Sequence, residues 1–378
     1  MSELNLLNIR KDIDEVDRKI VELYEKRMSL CKEVAEYKIN TGKQVLDKTR
    51  EKEKLESVKK LATTSFDERS VEELFKHLMS MSRKLQYKIM AENSLLDDTI
   101  FEAVDEIPIK GVNVVYQGLE GAYAHDAACQ FFGDEAKLYH VSEWREAMED
   151  VRSGKADYAV LPIENSTSGS ISQVYDLLME YDNYIVGETF VKVEHALMSV
   201  DGAKEEDIKV IYSHPQSLIQ CSRFLDEHKE WQRISLSNNA VSAKKVKDEN
   251  DKSQAAIASV RAAKIYGLNV LKEKINLSDV NTTRFFIIGN KRVYSKNADK
   301  ISVCFEISHE EGSLYSILSH FMYNRLNMTK IESRPIENRK WEYRFFIDFE
   351  GKLGEPAVKN ALRGLKEETI SLKILGNY

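Results

Sequence analysis

Cysteine and proline are scarce in this chain, glycine is nearly missing from its first third, and no long hydrophobic run occurs. The 378 residues include four cysteines, Cys31, Cys129, Cys221 and Cys304, far apart and without a C-x-x-C pair. That argues against a disulfide framework or a zinc site and for reduced thiols in a cytosol. No apolar stretch approaches the roughly 20 residues that a membrane helix requires. The N-terminal MSELNLLNIRKDIDE lacks the apolar run and small-residue cleavage site of a signal peptide, so a cytoplasmic protein without a membrane partner is expected. A net charge of −7 argues against general nucleic-acid binding. Gly118-Leu119-Glu120-Gly121 is not the G-x-G-x-x-G of a dinucleotide site. With no clustered metal-ligand residues either, neither cofactor nor metal is expected.

What is present falls into three blocks. The first 110 residues hold one glycine, Gly42, and one proline, Pro108, out of 16 and five in the chain, which reads as long helices. Leu6, Ile9, Ile13, Val16, Ile20, Leu23, Arg27, Leu30, Val34 and Tyr37 recur at alternating spacings of three and four. This apolar seam at heptad period predicts a helix to about residue 40. Such a long helix has little to pack against within 1–92, so a homodimer or higher homo-oligomer is expected. Second and third helices are predicted near Asp47 and near Asp67 or Ser70, the third ending near Ile89. An acidic segment at 93–110 reads as a linker. From Gly111 short apolar runs (Val114–Tyr116, Tyr158–Leu161, Val210–Tyr212, Ala255–Ala258 and Phe285–Ile288) alternate with helical stretches, the pattern of an α/β domain over 111–290. The last block, 299–378, reads as βαββαβ.

Within the first block Arg27 occupies a seam position between Leu23 and Leu30. A buried guanidinium is costly unless paired, so it marks either a structural ion pair or an anion pocket. Lys38 lies 11 positions on, about 20° away around the helix, so both cations face one way; Arg10 is roughly 100° off that face. Asp47, Arg50 and Glu51 share a face of the second helix, and Ser82 and Gln86 share one on the third. Together these residues resemble, in order and spacing, the active-site pattern of the all-helical chorismate mutases. The resemblance covers residues 4–90 and implies an intertwined three-helix dimer in which each site takes one arginine, here Arg10, from the partner. It further implies that Arg10 and Arg27 clamp the carboxylates of chorismate, that Lys38 and Gln86 donate to the ether oxygen, and that Glu51 binds the ring hydroxyl. Asp47, Arg50 and Ser82 support them. A unimolecular rearrangement of this kind needs only a held conformer and stabilised developing charge.

The second block contains GLEGAYAHDAA, PIENSTSGS (162–170), YSHPQSLIQC (212–221) and NTTRFFIIG (281–289). Singly, Asn165-Ser166-Thr167 reads as a turn and Ser213 as a helix cap. Together the segments resemble prephenate dehydratase, implying two α/β lobes (periplasmic-binding-protein-like) with a site in the cleft. Thr283 then matches the catalytic threonine and Arg284 the adjacent carboxylate binder, with Asn165, Ser166, His214 and Gln216 lining the cleft. Ala124 stands where relatives often carry serine, so position 124 is left outside the site. The third block is similar to an ACT regulatory domain, a ferredoxin-like α+β module that binds amino acids. Gly312-Ser313-Leu314 corresponds to its Gly-Ala-Leu loop and Glu332-Ser333-Arg334-Pro335 to its E-S-R-P motif, which implies feedback by L-phenylalanine. The multidomain chain is thus expected to turn chorismate into prephenate and prephenate into phenylpyruvate. A mutase joined to prephenate dehydrogenase would need a nicotinamide loop, which is missing. A mutase joined to a non-catalytic amino-acid sensor is opposed by the intact Thr283-Arg284-Phe285.

Overall fold

The computed structural model describes residues 6–92 and 101–378. These form two compact units, one of 6–92 with Val303–Ile374 and the other of Phe101–Ser302 with Leu375–Tyr378. Of the expected linker, 93–100 lie outside the described residues, and Glu102–Val104 is a strand, paired in parallel with Val293–Ser295.

Three helices make the N-terminal part of the first unit: α1 (Leu6–Thr41), α2 (Lys48–Lys59) and α3 (Ser65–Glu92). The start of α2 is set by Asp47, whose side chain accepts the Arg50 N–H at 3.0 Å, one of the four donors a helix start leaves open. The third helix begins earlier than its apolar pattern suggests. Thr64 Oγ1 accepts the Asp67 N–H at 3.1 Å and donates to Asp67 Oδ2 at 2.6 Å, fixing the first turn from outside the helix. Packing of α1 is one-sided. Leu6, Ile9, Ile13, Val16, Ile20, Leu23, Leu30, Val34 and Tyr37 are all exposed in the single chain, Leu23 by 67%. The seam at heptad period therefore exists and is left uncovered by the described residues of the chain.

The last block of the chain forms strands Lys300–Glu306, Met328–Pro335, Tyr343–Glu350 and Ser371–Asn377, with helices Ser313–Tyr323 and Pro356–Glu368 between them. Their sheet order places Met328–Pro335 at the edge, then Tyr343–Glu350, Lys300–Glu306 and Ser371–Asn377. This is the βαββαβ arrangement.

The second unit has two sheets. Strand Thr282–Gly289 lies antiparallel between Tyr158–Asn165 and Tyr184–Lys192, and Asn113–Gln117 and Lys137–Val141 extend that sheet in parallel. A five-stranded sheet runs in the order Asn269–Lys272, Ala196–Ser199, Gln254–Ala258, Val210–Ser213, Gln232–Ser235. The chain crosses between the sheets at 193–195 and returns at 273–281. Each sheet has its own core, one around Val114, Val160, Phe285 and Ile287, the other around Met198, Ala256 and Ala258. Two lobes joined by two short crossings leave a cleft. The glycine of the Gly118–Gly121 loop that faces the second lobe is tightly constrained: Gly121 has φ +86°, and a Cβ there would stand 2.9 Å from Ala262 Cα. Ser259 Oγ donates to Gly121 O at 3.1 Å, tying that loop across the cleft.

Among the described residues no helix is long and apolar enough to cross a membrane. All four cysteines are free thiols.

Candidate active sites

Seven of the eight helical-domain residues singled out in the sequence line one cavity of ≈ 250 Å³: Arg27, Lys38, Asp47, Arg50, Glu51, Ser82 and Gln86. Arg27 and Lys38 come from one face of α1, Asp47, Arg50 and Glu51 from the first turn of α2, and Ser82 and Gln86 from one stripe of α3. Arg27 Nη1 donates to Leu78 O at 3.0 Å and to Ser82 Oγ. Both acceptors are neutral and no carboxylate pairs with Arg27 among the described residues, so its charge remains available to an anion. Of the two readings open in the sequence, the ion pair is the one this geometry rejects. Lys38 Nζ donates to Val45 O at 2.7 Å. Burial pushes its ammonium below the usual range, against the pull of Asp47, Glu367 and Glu51. Gln86 is buried with its Oε1 unpartnered, an open hydrogen-bonding position on the cavity wall. Arg10 stays on the exposed side of α1, outside the cavity.

One lining residue was not legible in advance. Arg83 grips both oxygens of Glu51, at 2.5 and 2.7 Å, and its Nε donates to Glu368 at 2.8 Å. Its neighbours in sequence gave no sign of this, because Glu368 is 285 positions away.

The cleft of the second unit holds a cavity of ≈ 220 Å³ whose lining includes Asn165, His214, Gln216 and Thr283. Thr283 stands opposite Asn165 across an antiparallel pair. Asn165 Nδ2 donates to Thr283 Oγ1 at 2.9 Å, while its Oδ1 accepts from the backbone N–H and hydroxyl groups of both Thr167 and Ser168. The amide is thereby locked, and it occupies one of the two lone pairs of the threonine oxygen. The Thr283 hydroxyl has no hydrogen-bond acceptor among the described residues, so its proton is free for a bound molecule. His214 caps helix Pro215–Gln220 by accepting the Gln216 N–H at 3.2 Å, a task the sequence suggested for Ser213. Ser213 Oγ instead donates to Ile257 O at 2.8 Å inside the lobe.

Two expected cleft residues lie elsewhere. Ser166 is exposed, donating to Val280 O at 2.8 Å and accepting the Thr282 N–H at 3.0 Å, so it ties one loop to another rather than facing the cavity. Arg284 follows Thr283 in a strand, and successive strand side chains point to opposite faces. Its guanidinium is held away from the cavity by Glu188 at 2.6 Å and Tyr378 Oη at 2.9 Å. The carboxylate-binding role assigned to Arg284 is therefore corrected by the strand's own alternation. Ala124, set aside in the sequence reading, lines the cavity.

The sequence reading also missed Tyr123, His195 and Gln220. Tyr123 Oη is 3.1 Å from His195 Nδ1, His195 Nε2 is 2.9 Å from Gln220 Oε1, and Gln220 Nε2 donates to Thr167 Oγ1 at 2.9 Å. Through Thr167 and Asn165 this polar chain reaches Thr283. Burial lowers the pKa of both His195 and His214. Among the described residues no lysine or arginine lines the cavity.

A third cavity, of ≈ 300 Å³, is lined by Gly312, Ser313 and Leu314 together with residues that include Glu310, Tyr315, Glu342 and Phe345. Gly312, with φ +76°, caps helix Ser313–Tyr323. Glu332, Ser333, Arg334 and Pro335 do not line it. They occupy the edge strand, where Ser333 faces Phe345 and Pro335 faces Tyr343 in register.

The fold carries two cavities of contrasting lining, one among the helices and rich in cations, the other in a two-lobed cleft and lined mainly by neutral groups. The family described as chorismate mutase type II matches residues 9–87, and prephenate dehydratase matches residues 114–293. A bifunctional chorismate mutase/prephenate dehydratase of Pseudomonas aeruginosa is 35% identical, covering 100% of this chain and 97% of its own length. Among solved structures, a prephenate dehydratase of Arthrobacter aurescens in complex with L-Phe is 30% identical with TM-score 0.66, covering 71% of this chain and 90% of that one. A chain described as a novel type of quorum-quenching acylase is 29% identical with TM-score 0.64, covering 70% of this chain and 96% of that one. This chain belongs to the bifunctional chorismate mutase/prephenate dehydratase family. It serves phenylalanine biosynthesis with both activities, rearranging chorismate and then dehydrating and decarboxylating prephenate to phenylpyruvate.

Proposed function

We propose that the two reactions divide between the two cavities along the difference in their linings. In the helical cavity, Arg27 holds a chorismate carboxylate, since forked guanidinium donors suit that geometry and its present partners are neutral. Lys38 and Gln86 stabilise charge developing on the ether oxygen. Glu51 accepts from the ring hydroxyl while Arg83 fixes its position, and Asp47, Arg50 and Ser82 support the frame. Arg10 completes the site of a second copy. The exposed seam of α1 supports that reading, since nine aliphatic or aromatic side chains of one stripe are left in solvent and a partner helix would cover them. Replacing Ile20 and Leu23 by glutamate would yield a monomer by sedimentation with mutase turnover lost. A fully active monomer would refute the shared site.

In the cleft, Thr283 donates its proton to the ring hydroxyl of prephenate as the C–O bond breaks, and its oxygen takes a proton back from solvent to close the cycle. The ring carboxylate leaves as CO₂, its electron pair enters the ring, and water departs. The lining suits this step, because a cation on the departing carboxylate would hold back the charge that must flow into the ring. The hydroxyl of Thr283 on the cavity wall, held by Asn165 and with its proton unclaimed among the described residues, is the observation that carries the assignment. The experiment is to give the purified protein chorismate alone. Phenylpyruvate is expected, whereas accumulation of prephenate would leave only the mutase and favour the sensor alternative.

Residues 299–378 act as an ACT-type effector module for L-phenylalanine, acting on a cytoplasmic enzyme. The first-turn N–H groups after Gly312 suit a carboxylate. Glu310 and Glu342 suit the ammonium, and Leu314, Tyr315 and Phe345 suit the ring. A coupling of about 1–3 kcal/mol would weaken substrate affinity roughly 5–150-fold. Dehydratase rate against phenylalanine concentration tests the reading in wild type, Leu314→Ala and Ser333→Ala/Arg334→Ala. Wild-type inhibition in Leu314→Ala would move the effector site elsewhere.

A further inference from the structure

The helical cavity is lined by α1, α2 and α3, yet two of its supports are fixed from the far end of the chain. Glu367 and Glu368 are the last residues but one and the last of helix Pro356–Glu368, within the same compact unit. Glu367 Oε2 accepts the backbone N–H groups of Val45 at 3.1 Å and Leu46 at 3.3 Å, just before the Asp47 cap. Val45 is also the residue whose carbonyl receives the Lys38 ammonium. Glu368 binds Arg83, and Arg83 binds Glu51. Both carboxylates therefore stand one residue behind a group assigned to substrate.

These contacts are built rather than incidental. The side chains of Arg83 and Glu368 are 9% and 7% exposed. Glu368 is also approached by His320 Nε2 at 3.3 Å, and a Cβ at Gly364 would collide with the His320 ring, so that only glycine admits the ring there. Tyr87 Oη donates to Glu367 at 3.3 Å, and Lys84 Nζ donates to Ser319 Oγ at 2.8 Å. Burial would raise the Glu368 carboxyl, but His320 and Arg83 outweigh it and hold the group down at about 2. It is thus ionised wherever the enzyme works.

We propose that Glu367 and Glu368 are positioning residues of the chorismate mutase site, contributed by the C-terminal module, with Arg83 as the link that passes Glu368's hold to Glu51. A guanidinium shared between two carboxylates settles at a position fixed by both, so the Glu51 oxygens are presented at one place only. Glu367 does the same for the loop that carries Val45 O, and through it for Lys38. This rests on the assignment of the helical cavity to the mutase and is independent of what the C-terminal module binds.

The test uses full-length Glu367→Gln, Glu368→Gln and Glu368→Asp, with far-ultraviolet circular dichroism and thermal unfolding as the control for folding of the first unit and dehydratase turnover on added prephenate as the control for the second. Glutamine keeps the volume and removes the charge. Mutase kcat/KM is expected to fall on the order of 10–10²-fold in Glu368→Gln, as for misplacement of a reacting group, with partial recovery in Glu368→Asp. Glu367→Gln adds a readout that mere packing would not move. Asp47, Glu367, Glu51 and Cys31 act on the Lys38 ammonium in its favour against burial, and Arg27, Arg50, Lys54 and Arg83 line the same cavity. Loss of the Glu367 charge therefore moves the alkaline limb of the mutase profile to lower pH. Unchanged mutase constants and profile in both glutamine variants would overturn the proposal. So would an equal fall in mutase and dehydratase activity, which would reveal a general structural contact. If Arg27→Ala left mutase activity intact, the cavity assignment itself would have failed, a result distinguishable from either.

Discussion

The two cavities proposed as active sites are nearly equal in size, ≈ 250 and ≈ 220 Å³, and opposite in chemistry. Arg27, Lys38, Arg50, Lys54 and Arg83 line the first against the carboxylates Asp47 and Glu51. The second has no lysine or arginine in its lining, and burial drives its two histidines towards the neutral form. A rearrangement that only shifts charge within the substrate is served by fixed charges arranged around it. A reaction that must release carboxylate as CO₂ and hydroxyl as water is served by one placed proton and few cations. The contrast also explains why the first site needs distant carboxylates: several like charges in a small space repel, and ion pairs with Glu51 and Glu368 keep Arg83 in place.

The contrast breaks most sharply at Thr283. Thr283→Ala is expected to lower dehydratase turnover by about 10²–10⁴, the usual worth of a general acid, with mutase turnover intact and Thr283→Ser far milder. Wild-type dehydratase rates in the alanine variant would remove the proton donor from the scheme. At the other site, Arg27→Ala should cost the mutase about 10²–10³ while sparing dehydration of added prephenate. A proportional loss of both activities in folded protein would mean that one cavity does both jobs. A pH profile gives a smaller effect. Lys38 must be charged to donate, and burial lowers its pKa below the usual 10.5. Mutase activity should therefore decline on the alkaline side before a free lysine would titrate, and Lys38→Arg should extend the plateau upward. Gln86 carries no titrating proton, so no loss should appear between neutral and mildly alkaline pH.

The smallest catalytic effect is expected at Arg284. With its guanidinium on Glu188 and Tyr378, Arg284→Gln should leave the KM for prephenate nearly unchanged. The cost should appear in stability instead, and stay below the roughly 3–5 kcal/mol of a pair whose loss strands a buried charge, because Lys300 also holds Glu188. Thermal unfolding and dehydratase kinetics on the same sample would separate the two. A large rise in KM without loss of stability would return Arg284 to the substrate.

How much was legible follows the range of each interaction. Helical periodicity placed Arg27 and Lys38 on one face, and the i, i+3, i+4 rule grouped Asp47, Arg50 and Glu51, because a helix fixes neighbours within a turn or two. The βαββαβ order of the last block was likewise legible from local patterns. The error at Arg284 could have been avoided from sequence alone, since a strand of period two cannot present adjacent Thr283 and Arg284 to the same cavity. Tyr123, His195 and Gln220 carried no local signal, because they meet only when the chain has crossed between lobes.

The sequence by itself determined the elements, the seam at heptad period and the residue types that chemistry demands at each cavity, because propensity, periodicity and capping act over a few residues. Tertiary structure alone decided which of those residues share a cavity, which partners hold Arg284 and which carboxylates hold Arg83. Such contacts join positions as far apart as Arg83 and Glu368, 285 residues in sequence, and a buried guanidinium finds its partners only where the packed fold removes water and leaves those two oxygens within reach.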